Sequence, residues 1–136
     1  MKRSVYAIAL LLSALLVLLS CSNIPEPIPE EEALMDALRD LQQGVENKIS
    51  YENFEARLSE AGKRYETLKR TKNTNSCFLN AANKCYASYT ISRKAWKLMD
   101  EAKTEKRRLD MDTTLSFSLG FASVSLARAR GCFEGD

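Results

Sequence analysis

Cys21, Cys77, Cys85 and Cys132 are the most reactive side chains in this 136-residue sequence, which holds no histidine to activate them. A His-based triad, a His-ligated zinc and a histidine pH switch are therefore excluded. Cys77, Cys85 and Cys132, spaced by eight and forty-seven residues, match no common thiolate zinc pattern, so no metal site is expected. Outside the cytoplasm their expected chemistry is a disulfide. The carboxylates lie among lysines and arginines at helical spacing, where solvated ion pairs are the ordinary outcome, and no facing pair suited to acid–base work stands out. One aromatic set could line a ligand groove: Tyr86, Tyr89 and Trp96, with Arg93 and Lys97 beside them for an anion. Core packing, with Arg93 stacked on Tyr89 or Trp96, is the preferred reading of that set. The sequence thus implies a non-enzyme without a cofactor.

Cys21 belongs to a different pattern. Met1-Lys2-Arg3 is a positive start, Val5 to Leu19 is an apolar run broken by Tyr6 and Ser13, and Leu18-Leu19-Ser20-Cys21 closes it. Fifteen residues span roughly 22 Å as a helix, short of a bilayer core of roughly 30 Å, so the layout reads as a secretory signal and not as a permanent span. The closing tetrad resembles the lipobox of bacterial lipoproteins, although Leu19 is bulkier than the small residue most usual there. The resemblance implies acylation of the Cys21 thiol, cleavage before it, and a mature chain anchored by palmitate-type acyl chains. Two such chains suffice for stable anchoring. Ser22, where an Asp would resemble an inner-membrane retention signal, implies the outer membrane, facing the periplasm. Loss of Lys2 and Arg3 with the signal leaves 18 basic and 18 acidic groups, so no nucleic-acid partner is expected.

The elements that must position the remaining residues follow from hydrophobic periodicity. Pro25, Pro27 and Pro29 make a stiff, polyproline-like spacer, and Pro29 with Glu30, Glu31 and Glu32 suits the first turn of a helix. Leu34, Leu38, Leu41 and Val45 then predict a helix over about 30–46, and Tyr51, Phe54, Leu58, Ala61, Tyr65 and Leu68 a second, capped by Ser50 and reaching about Arg70. After a polar loop, with Asn75 or Ser76 as cap, Phe78, Ala82, Cys85, Tyr89, Ser92, Trp96 and Met99 carry a third helix to about Arg107. Lys103, Lys106, Arg107 and Arg108 would then complement its C-terminal dipole.

The segment after Asp110 and Asp112, the expected caps of a fourth helix, alternates like a strand over a few residues. Over a longer window it restores helical spacing in Leu115, Leu119, Ala122, Leu126 and Ala129, with Phe117, Phe121 and Val124 as a second apolar edge and Gly131 as stop. Ser116, Gly120, Ser123 and Ala127 add a stripe of small residues. Uncharged from Thr113 to Ala127, this helix is expected to be the most enclosed of the body, or else a homo-oligomer surface.

The fold class is all-α: an up-and-down bundle of four helices (30–136) behind a signal peptide (1–20) and a lipidated cysteine with its Pro-rich spacer (21–29). Cys77 and Cys85 within one helix would lie roughly 12 Å apart, beyond the roughly 7 Å of bridged Cα atoms. A hairpin turning near Arg108 to Leu109 brings together residues whose numbers add to about 217, which pairs Cys85 with Cys132. Cys77 with Cys132 is the alternative and Cys77 with Cys85 the third. Residues 49–108 carry fourteen basic and seven acidic groups against two and seven in 22–48, which reads as internal complementarity or as a surface for anions. Together these features imply a small envelope lipoprotein, with the membrane as one partner and an envelope protein as another, serving as an adaptor or assembly protein. The alternative is a binder of an anionic ligand: a cell-wall polymer, a lipid head group or a small anion.

Overall fold

In the computed structural model, which describes residues 26–135, the chain forms four α-helices, and no strand occurs among the described residues. α1 spans Pro29–Glu46, α2 Tyr51–Arg70, α3 Ser76–Asp100 and α4 Glu105–Glu134. The expected all-α bundle is what forms. The signal segment, Cys21 and Pro25 lie outside the described residues.

Each start has the chemistry that ends of helices require. Pro29 opens α1 with Glu30, Glu31 and Glu32 in the first turn, and the Ser50 hydroxyl accepts from the Asn53 amide at 3.3 Å. Asn75 Oδ1 accepts from the amides of Cys77 and Phe78 at 3.0 and 3.2 Å, and Thr104 Oγ1 accepts from Arg107 at 3.3 Å. Lys48 and Asn73 take left-handed φ angles of 54° and 65° where the first two connections reverse direction.

The core is assembled from the predicted stripes of all four helices. Leu34, Leu38 and Leu41 of α1, Phe54, Leu58 and Leu68 of α2, Phe78, Cys85 and Tyr89 of α3, and Ala122, Leu126 and Ala129 of α4 are all buried. The most extensive pairing is between α3 and α4, which meet through small residues: Ala81, Ala82, Ser92 and Ala95 on one side, Ser118, Ala122 and Ala129 on the other. Such side chains allow the backbones to come close, and Ser92 Oγ and Ser118 Oγ share a buried hydrogen bond of 2.7 Å.

Several expectations are corrected. α3 ends at Asp100, not near Arg107, and α4 is capped by Thr104, not by Asp110 or Asp112. After Met99 the heptad beat falls on Lys103 and Lys106, which have nothing to bury, so the third helix gains nothing by continuing. Lys106, Arg107 and Arg108 consequently sit in the first turns of α4, where the dipole disfavours positive charge. At its far end α4 passes Gly131, because Phe133 packs on Phe78 with ring centroids 5.6 Å apart, and stops at Gly135, whose φ is 82°.

The earlier turn also overturns the expected Cys85–Cys132 bridge. With the hairpin reversing at Glu101–Thr104, the residue level with Cys132 is Cys77, and these two are bonded with Cα atoms 5.6 Å apart; Cys85 is a free thiol in the core. Finally, α4 is not the enclosed centre of the body. Its small stripe of Ser116, Gly120, Ser123 and Ala127 is exposed, and so are Phe117, Phe121 and Val124.

Candidate functional site

The end of the bundle that receives the N-terminal spacer is locked. Glu31, 3% exposed, accepts from the Ile28 amide through Oε2 at 3.3 Å and from the Asn75 amide through Oε1 at 2.6 Å. The Asn75 side chain donates to the Cys132 carbonyl at 3.0 Å, beside the Cys77–Cys132 bridge, and Arg39 donates to Glu134 at 2.7 Å. One carboxylate thus ties the start of α1 to the start of α3, and one amide ties α3 to the end of α4.

The five residues read as a ligand groove do not line one cavity. Tyr86 stacks on Tyr65 with centroids 5.4 Å apart, and Tyr89 is wholly buried, its hydroxyl donating to Gln42 Oε1. Trp96 is half-buried between Tyr51 and Phe54, at 5.7 and 5.5 Å. Arg93 faces Glu55 of α2 at 3.9 Å instead of stacking, and Lys97 is exposed. Burial pushes the Cys85 thiol up to about 12, and raises the Tyr89 phenol as well, with Cys85 and Glu46 adding to the effect. Neither group is an ionised nucleophile near neutrality. Among the described residues no group of three or more cysteines and carboxylates could hold a metal ion.

An apolar cavity lies on the outer side of the α3–α4 hairpin. A groove of about 740 Å³ runs past Lys84, Ala87, Ser88 and Ile91 of α3 and Phe121, Val124 and Arg128 of α4. It continues as a second hollow of about 530 Å³ beside Thr113, Thr114 and Phe117. Phe117, Phe121, Val124 and Ile91 are 69, 55, 70 and 51% exposed, which makes this a contiguous apolar patch and not a scatter of single side chains. Its hydroxyls add little polarity. Ser88 donates to the Lys84 carbonyl at 2.8 Å, Thr113 to Leu109 and Thr114 to Asp110 at 2.9 Å, so each turns its polar hydrogen back onto its own helix. No helix among the described residues is long and apolar enough to cross a membrane. The chain matches no family model, no curated protein and no solved structure.

A second surface lies at the tip of the same hairpin. Every residue from Lys103 to Asp110 is exposed, and Lys103, Lys106, Arg107 and Arg108 cluster there beside Leu109. The groove residues had one signal in the sequence, the second apolar edge formed by Phe117, Phe121 and Val124. What the sequence lacked was which edge faces α3.

Proposed function

We propose that the protein is a small envelope lipoprotein, tethered through Cys21 and working as a non-catalytic interaction protein that docks another polypeptide in the α3–α4 groove. The exposed apolar groove carries this reading. Two antiparallel helices with Phe117, Phe121, Val124 and Ile91 between them offer the kind of trough into which an amphipathic helix lays its apolar face. The tether rests on the lipobox-like Leu18-Leu19-Ser20-Cys21. Position in the outer membrane, with the body in the periplasm, follows from Ser22 in the same reading.

The test has two arms in cells producing the full chain. Cys21→Ala should abolish acyl labelling and membrane retention; a membrane-free mature protein from the unaltered chain refutes the tether. A photo-crosslinking residue at Phe121 should give protein adducts that the same residue at exposed Lys63 does not. Absence of adducts at Phe121 refutes the docking surface. The basic hairpin tip favours a second reading, capture of an anionic polymer or head group, because Lys106, Arg107 and Arg108 occupy helix positions that the dipole penalises. In that case their joint replacement by Gln abolishes retention on polyanions and leaves Phe121 crosslinks intact.

A further inference from the structure

The outward stripe of α4 is self-complementary. Asp110, Thr114, Phe117, Phe121, Val124 and Arg128 follow one another at 4, 3, 4, 3, 4, share one face, and are all exposed. Reversing that spacing reproduces it. We propose that two copies of the chain pair through this stripe, α4 against α4 in antiparallel orientation about a two-fold axis at the level of residue 119. The proposal rests on reading the groove as a protein-docking surface and names its occupant as a second copy.

Charge selects both the orientation and the register. Antiparallel pairing at that level sets Asp110 opposite Arg128 of the second copy, twice by symmetry, with Thr114 opposite Val124 and Phe117 opposite Phe121. Parallel pairing would set aspartate on aspartate and arginine on arginine. A slip by one heptad breaks both pairs: in one sense Asp110 meets Phe121 and Arg128 meets Lys103, in the other Arg128 meets Phe117 and Asp110 passes the end of the helix. An isologous contact of this kind is closed, so it produces a dimer and not a filament.

Gly120 supplies an independent observation. The helical glycines Gly44 and Gly62 sit under side chains of their own chain, Ile49 and Tyr86, each with an atom 2.6 Å from where a Cβ would be; at Gly120 nothing lies within 4 Å. A glycine inside a helix is less favourable than alanine, and no contact within the chain accounts for this one. It lies on the floor of a hollow walled by Phe117, Phe121 and Val124, where an aromatic ring from a second copy can rest directly on backbone.

Sedimentation equilibrium of the full chain, extracted from membranes into density-matched detergent, decides the matter. The unaltered protein should reach twice the mass of its monomer. Asp110→Arg and Arg128→Asp should each raise the dimer dissociation constant about tenfold, since each converts both symmetric pairs into repulsions, and the double variant should return to within about threefold of the original. Phe121→Lys should abolish the dimer while helix content and the Cys77–Cys132 bridge stay unchanged. A monomer at every concentration overturns the proposal, as does a dimer indifferent to Phe121→Lys or a double reversal no better than the singles. If the monomeric chain still crosslinks to a different protein from position 121, pairing is refuted while the docking reading stands.

Discussion

Replacing Cys77 and Cys132 together by serine tests whether the bridge acts on the folded bundle or on the unfolded chain. The bond closes a sequence separation of 55 residues, and the chain-entropy treatment assigns such a loop about 4 kcal/mol. Most of that should be felt as unfolded-state freedom, because the same end of the bundle is held by other means: Asn75 to the Cys132 carbonyl, Arg39 to Glu134, and Phe133 on Phe78. With about 2.1 cal/mol/K per residue of unfolding entropy over roughly 110 residues, the loss corresponds to a Tm about 17 °C lower. Reversible thermal unfolding followed by far-ultraviolet circular dichroism measures it, with the reduced unaltered protein as a parallel. Pre-transition helix content should be the same in both. A loss below about 1 kcal/mol refutes the entropic argument. Early hydrogen exchange in the last turns of α4 of the variant would instead show that the bridge is what holds that end in the folded state. Non-reducing peptide mapping should join the Cys77 and Cys132 peptides, with Cys85 alkylated only after unfolding.

Three further outcomes follow from the packing. Glu31→Ala, which leaves the Asn75 and Ile28 amides without their buried acceptor, should cost about 2 kcal/mol in denaturant unfolding. Gly62→Ala should cost about 1–3 kcal/mol, because its Cβ would meet the Tyr86 ring that is held in place against Tyr65; a stabilised variant would refute this. Above pH 9.0 the unfolded state ionises the Cys85 thiol while the folded state keeps it protonated, so stability, complete below that pH, should fall as pH rises toward about 12. The slope is up to about 1.4 kcal/mol per pH unit, and Cys85→Ala should flatten it.

How much of this was legible in the sequence depends on how many apolar stripes each helix carries. α1 and α2 have one dominant stripe apiece, and there periodicity, caps and buried faces all agree with the structure, down to Pro29 and Ser50. α3 was placed correctly at its start, where Asn75 offers a cap, and overextended at its end, where lysines at helical spacing look the same inside a helix and beyond it. A shift of a few residues in that turn moved the partner of Cys132 by eight, from Cys85 to Cys77. Disulfide pairing between helices is only as legible as the hairpin register, and register was carried by Thr104, which no hydrophobic pattern marks.

For α4 the difficulty is of another kind, because its apolar residues surround it. Ranked by size, Phe117 and Phe121 have the strongest claim to the core, yet Leu115, Ser118, Ala122, Leu126 and Ala129 take it. The close approach to α3 decides this: its Ala81, Ala82, Ser92 and Ala95 leave room for a methyl or a hydroxyl and none for a ring. The stripe of Leu115, Leu119, Ala122, Leu126 and Ala129 was legible and does face inward; that its neighbour's small residues exclude the phenylalanines is a property of the pair that neither helix shows alone. Once that face is fixed, the phenylalanines are left outside by geometry, more than half exposed, on a helix that places its charges only at the two ends of the same stretch. A surface built to remain wet would have spread charge along that run. Confining it, on the outward stripe, to Asp110 at one end and Arg128 at the other leaves the middle suited to burial, and the ends suited to the same surface turned through half a revolution.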